Sequence, residues 1–214
     1  MTVKYCDIAW DFDGTLYNSY PFIVQCIRQS LEKFGYTDTE ENIALYAHVT
    51  VGHALEHYAP LCGCEKADLL HWYRVFSAEI SPLTVPYEGI PELLRDITLA
   101  GGRNHICSNR SAVRCKEYLD RDGLSQYFDV FSGPDVAPGI VAKPAPDLIR
   151  VILDARRIPP EELLMVGDRN LDIEAAHAAG AVGCFIDIDG FATVTCHPEF
   201  FAADVAELRK ILLG

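Results

Sequence analysis

The apolar run Tyr5-Cys6-Asp7-Ile8-Ala9-Trp10 ends in Asp11-Phe12-Asp13-Gly14-Thr15, two carboxylates two residues apart followed by a turn-forming glycine and a hydroxyl. If the run is a buried strand, the pair emerges at its carboxyl tip, where open α/β sheets bind ligands. Acids are costly to bury there unless a cation or a reaction uses them. Such a pair can carry two-step phosphoryl transfer. The first Asp attacks phosphorus, and the second protonates the leaving oxygen and then takes a proton from water. A phosphate dianion must approach carboxylates in that chemistry, so positive charge has to stand nearby. The rest of the chain should therefore supply a metal site, a Lys or Arg, and neutral donors for phosphate oxygens.

All three are present downstream. Ile106-Cys107-Ser108-Asn109 ends a second apolar segment. It puts a hydroxyl at a strand tip with the Asn109 backbone N–H beside it, and Ser111 is placed to cap the next helix. Lys143-Pro144-Ala145-Pro146 opens a helical pattern from Asp147 to Arg157. Proline stiffens a helix start, so Lys143 is held on a rigid turn where it can face an anion as a point charge. Leu163-Leu164-Met165-Val166-Gly167-Asp168 is a short apolar strand, and Arg169-Asn170-Leu171-Asp172 leads into an Ala-rich helix that Gly180 stops. Asp168 and Asp172 can point into one cleft, and an all-oxygen ligand set suits Mg²⁺. The charges nearly balance: two carboxylates and a phosphate dianion against Mg²⁺ and Lys143 leave about one negative charge for N–H and O–H donors.

Strand-like runs at 5–10, 104–108, 127–131, 163–167 and 182–186 alternate with helical patterns near 90–100, 112–121, 146–157, 171–179 and 203–212. That alternation predicts an α/β fold, a parallel sheet wrapped by helices. Residues 17–83 interrupt it with no strand pattern. Phe22, Ile23, Cys26, Ile27, Leu31 and Phe34 form one apolar helical face that Gly35 stops. Further helices are predicted from about Glu40, near Gly52–Tyr58, and from Lys66 to Ile80. Leu69, Leu70, Trp72, Tyr73 and Phe76 should give the last of these a buried side.

With these motifs in order, the chain resembles the haloacid dehalogenase superfamily of hydrolases. The match covers its DxDGT motif (Asp11 to Thr15), its Ser/Thr motif (Ser108), its Lys motif (Lys143) and its GDxxxD motif (Asp168 to Asp172). The nearest branches are phosphoglycolate phosphatase-like and β-phosphoglucomutase-like. The resemblance implies a Rossmann-like core with strand order 5-4-1-2-3 over residues 1–16 and 84–214, and an inserted helical cap over 17–83. It implies Asp11 as nucleophile and metal ligand, and Asp13 as general acid/base binding metal through its carbonyl. Ser108, Asn109 and Lys143 would hold the phosphoryl group, and Asp168 and Asp172 would complete a Mg²⁺ site. Tyr17, Gly52 and His53 become candidates for substrate specificity. Thr15 sides with the phosphatases, since the mutases often carry Val there. Asn18, where the family usually has Asp, departs from the pattern.

The expected activity is Mg²⁺-dependent hydrolysis of small organic phosphomonoesters, with sugar phosphomutase and a silent binding protein on the same fold as alternatives. The cap should select the substrate. It carries four Lys/Arg against eight Asp/Glu, together with His48, His53, His57 and His71. A net charge of −13 argues against nucleic acid and anionic membranes as partners, leaving a small phosphorylated metabolite. No apolar run approaches the ~20 residues that span a bilayer, and the N-terminus reads directly into a strand, so a cytoplasmic location is expected. Monomer and weak dimer both remain open. Cys6, Cys107 and Cys184 read as small buried hydrophobes. Cys62-Gly63-Cys64 lacks a second pair for zinc. His53-Ala54-Leu55-Glu56-His57 fits the H-x-x-E-H protease pattern, but so short a pattern often matches by chance.

Overall fold

The computed structural model describes residues 3–80, 83–190 and 193–214. The chain forms two compact units, Met1–Tyr17 with Pro86–Gly214, and Asn18–Val85. Two-residue strands β2 (Tyr17–Asn18) and β3 (Val85–Pro86) pair where the chain passes from one unit to the other.

The smaller unit is helical: α1 (Tyr20–Glu32), α2 (Glu40–Val49), α3 (Val51–Cys62) and α4 (Lys66–Ile80). Local chemistry sets its boundaries. Thr39 and Thr50 cap α2 and α3 by accepting the N–H of Asn42 and His53, and Gly63 ends α3 in the left-handed region. Its core joins Ile23, Ile27 and Leu31 of α1 to Ile43, Leu55, Tyr58 and Leu69. The expected bulky buried side of α4 is only partly realised. Leu69 is buried, whereas Trp72 and Phe76 are half-buried and stack on each other beneath the Lys33 ammonium. The H-x-x-E-H residues are used locally: His57 stacks on Tyr46 and Glu56 pairs with Lys66.

The larger unit is a six-stranded parallel sheet: β1 (Asp7–Trp10), β4 (Arg103–Cys107), β5 (Phe128–Ser132), β6 (Leu163–Gly167), β7 (Val182–Ile186) and β8 (Phe200–Ala202). Its order is β5-β4-β1-β6-β7-β8. The five expected strands thus take the 5-4-1-2-3 order, and β8 adds a sixth outside β7. That strand escaped sequence reading because three residues carry no detectable alternation. Helices α5 (Ile90–Leu99), α6 (Ala112–Arg121), α7 (Asp147–Arg156), α8 (Asn170–Ala179) and α9 (Val205–Leu213) cover both faces.

The central strands are apolar on both faces, as a covered parallel sheet requires. Ile8, Trp10, Ile106, Leu164 and Val166 face α5, α6 and α9. Ala9, Cys107, Leu163 and Met165 face α7 and α8. The one acid within β1, Asp7, lies buried at the amino end of the strand, where Arg103, Arg156 and His105 meet its carboxylate at 2.9–3.0 Å. Cys107 and Cys184 are buried as expected, but Cys6 is exposed because it precedes the strand. No helix among the described residues is long and apolar enough to cross a membrane.

Candidate active site

The site is built at the carboxyl ends of β1, β4 and β6. The Asp11 N–H donates to the Val166 carbonyl at 2.9 Å, carrying the β1–β6 ladder one residue past β1. Gly14 then takes φ 79°, a conformation that costs glycine little, and its N–H donates to the Tyr17 carbonyl. This turn leaves Asp11 wholly buried and Asp13 at the rim. Ser108 follows β4, and its N–H donates to the Ser132 carbonyl at 3.1 Å. Asp168 follows β6, and Asp172 lies in the first turn of α8. Gly167 is required there, because a Cβ would come within 2.4 Å of the Asp172 side chain.

Lys143 joins these pieces. Its ammonium lies 3.0 Å from Asp11 Oδ1 and 2.6 Å from Asp172 Oδ1, and it donates to the Cys107 carbonyl at 2.6 Å. The side chain is wholly buried. Asn109 fixes its backbone from both sides: Asn109 Oδ1 accepts the Lys143 N–H at 2.8 Å, and Asn109 Nδ2 donates to the Lys143 carbonyl at 3.0 Å. Asp172 Oδ2 accepts the Arg169 N–H at 3.0 Å, and Asp168 Oδ1 accepts the Thr15 hydroxyl at 3.0 Å. One carboxylate oxygen from each of Asp11, Asp168 and Asp172 lies within 4.8 Å of the others. Hard oxygen donors at this spacing are the set Mg²⁺ takes, so the residues present fit that ion.

Burial alone would push the Asp11 carboxyl up. Lys143 and Arg169 outweigh it and hold it at about 2, so Asp11 is ionised. Asp172 lies above the ordinary range because burial and the neighbouring Asp11 charge exceed the help from Lys143. Lys143 is disfavoured by burial, but the two carboxylates more than compensate and keep it charged.

The core positions expected from the motifs, Asp11, Asp13, Ser108, Asn109, Lys143, Asp168 and Asp172, converge on this one edge. Tyr17 packs into the core beneath them. It is wholly buried, its ring stacks on Phe12 at 4.3 Å, and its hydroxyl donates to Asp122 at 2.8 Å. Gly52 and His53 belong to the helical unit, in the first turn of α3.

Sequence reading missed two arginines. Arg110 donates to Asp13 through Nε at 3.0 Å and Nη2 at 2.8 Å, and Arg169 Nη2 donates to Asp11 Oδ2 at 2.9 Å. The charge argument demanded cations near the acids, and both arginines lie within two residues of motif positions.

A covered parallel sheet that gathers three carboxylates and a buried lysine at its carboxyl edge has its polar cluster where open α/β folds place their ligand sites. Residues 8–186 match the profile of the haloacid dehalogenase-like hydrolases, and the chain belongs to that family. Among its relatives, a phosphoglycolate phosphatase of Vibrio parahaemolyticus is 27% identical over 96% of this chain and 95% of its own. The tyrosine-protein kinase PtkA of Mycobacterium tuberculosis is 28% identical over 96% of this chain and 72% of its own. A solved haloacid dehalogenase-like hydrolase from Bacteroides fragilis superimposes with a TM-score of 0.81 at 24% identity, covering 96% of this chain and all of that one, a likeness of fold.

Proposed function

We propose that this protein is a Mg²⁺-dependent phosphatase of small organic phosphomonoesters that works through a phosphorylated Asp11. The observation that carries the reading is the wholly buried Asp11 held by Lys143 beside Asp168 and Asp172. An ionised carboxylate fixed in a dry site is a competent nucleophile, and a lysine already in place offsets the charge of an arriving phosphate.

In this mechanism an Asp11 carboxylate oxygen attacks phosphorus, and the bond to the leaving alcohol breaks. Asp13 gives its proton to that alcohol oxygen. Asp13 then takes a proton from water, whose oxygen attacks phosphorus and returns Asp11 as carboxylate. Ser108 Oγ and the Asn109 N–H donate to the phosphoryl oxygens, and Lys143 stays as the fixed counter-charge. Arg110 must release Asp13 for the proton transfers. Mg²⁺ would be held by Asp11, Asp168 and the Asp13 carbonyl, with Asp172 binding it directly or through water, and would neutralise phosphoryl charge. We read the helical unit as the cap that selects the substrate, with Gly52 and His53 as candidates for that role. The phosphoglycolate phosphatase relatives make 2-phosphoglycolate the first substrate to try.

The test is phosphate release from 2-phosphoglycolate, β-glucose 1-phosphate, pyrophosphate, mononucleotides and p-nitrophenyl phosphate, each with Mg²⁺ and with EDTA. Metal-dependent release that Asp11→Asn abolishes, with its circular dichroism intact, is the expected result. Unchanged turnover in that variant would sink the mechanism.

A further inference from the structure

The three carboxylates of the proposed metal site already carry two protein cations. Lys143 bridges Asp11 and Asp172 from within the fold, and Arg169 takes the other oxygen of Asp11. The two cations differ in freedom. Lys143 is wholly buried and its backbone is clamped by Asn109. Arg169 has its backbone N–H fixed by Asp172 at the start of α8, but its side chain reaches solvent, with 16% of it exposed.

Resting on the metal-site reading above, we propose that Arg169 is a built-in competitor for the metal position. Its guanidinium holds Asp11 Oδ2 and must swing away or share that carboxylate when Mg²⁺ binds. A guanidinium 2.9 Å from Asp11 Oδ2 would repel a dication bound at ~2.1 Å to the same carboxylate. The arginine therefore weakens metal affinity. It also stabilises the fold, since without it a buried carboxylate loses one of its two counter-charges. Metal affinity and metal-free stability should move in opposite directions when it is replaced.

The experiment is calorimetric titration of Mg²⁺ into the full chain without phosphate, paired with thermal melts in EDTA and in excess Mg²⁺. Four proteins are compared: wild type, Arg169→Gln, Arg169→Lys and Asp168→Asn. Arg169→Gln should bind Mg²⁺ at least about tenfold more tightly, the scale on which groups around a metal site tune affinity. It should also melt lower in EDTA and gain more from Mg²⁺ than wild type does. Arg169→Lys, which keeps the charge, should stay near wild type. Equal or weaker binding in Arg169→Gln overturns the proposal, as does an equal shift in the Gln and Lys variants, which would make side-chain shape the cause. Asp168→Asn tests the underlying site separately. If it binds Mg²⁺ as well as wild type does, the metal-site reading fails, whatever Arg169 does.

Discussion

Replacing Lys143 with methionine isolates the charge, because the two side chains are similar in length and the lysine side chain is wholly buried. Three groups lose their partner together: Asp11 Oδ1, Asp172 Oδ1 and the Cys107 carbonyl. Removing one partner of a buried ion pair costs about 3–5 kcal/mol, and orphaning a buried acceptor costs about 1–3 kcal/mol. Arg169 still holds Asp11, which puts the first figure at its lower end. The expected loss is then about 4 kcal/mol or more, a large part of a typical domain's ~5–15 kcal/mol.

The loss should depend on pH, with a determined sign. In wild type, Asp11 is depressed to about 2, so its contribution is present above the unfolded value of ~3.9 and fades as pH falls toward 2. Without Lys143, both carboxyls are raised in the folded state. The folded variant then binds more protons than the unfolded chain, and its stability falls as pH rises. The deficit relative to wild type should be smaller at pH 5 than at pH 8. Urea unfolding read by Trp10 fluorescence in a Trp72→Phe background measures this in the unit that holds the site. Adding Asp172→Asn should recover part of the loss, since it removes one orphaned anion. A loss under about 1 kcal/mol, or the same loss at both pH values, would refute the argument that Lys143 neutralises a buried acid pair.

Asn109→Ala removes the two-sided clamp on the Lys143 backbone. Turnover should fall about 100-fold, the cost of small misplacement in an active site, with only about 1–2 kcal/mol of stability lost; steady-state kinetics beside a urea melt separates the two. His105 is buried against Asp7, and burial lowers its pKa although Asp7 pulls the other way. The unfolded chain therefore takes up the His105 proton first, and wild-type stability should drop as pH falls below ~6.5. His105→Gln should flatten that acid limb in thermal melts.

Most of the core was legible because parallel strands covered on both faces read as short apolar runs, and their tips carry the chemistry. Asp11, Ser108, Lys143 and Asp168 each directly follow such a run or open a helix, so sequence position predicted spatial convergence. Reach was not legible. Whether Arg110 and Arg169 fold back onto Asp13 and Asp11 depends on rotamers that no spacing encodes. The Asn109 side chain was expected to matter only through its neighbouring backbone N–H, whereas it holds the lysine loop 34 residues away. The burial of Tyr17 was not legible either: the left-handed turn at Gly14 brings the chain back on itself and sets the ring on Phe12.

The family match stops at Ile186, the last residue of β7, yet the sheet does not. Phe200, Phe201 and Ala202 of β8 pair with Cys184, Phe185 and Ile186, the Phe185 and Phe201 rings stack, and Glu199 accepts the Gly183 N–H. A chain cut at Ile186 would leave Cys184, Phe185 and Ile186 without their β8 partners, an apolar edge on which other chains can assemble. The intact chain presents only a three-residue edge there. The sheet edge is therefore completed by a segment beyond the family profile, and attempts to trim the protein at Ile186 should yield aggregates.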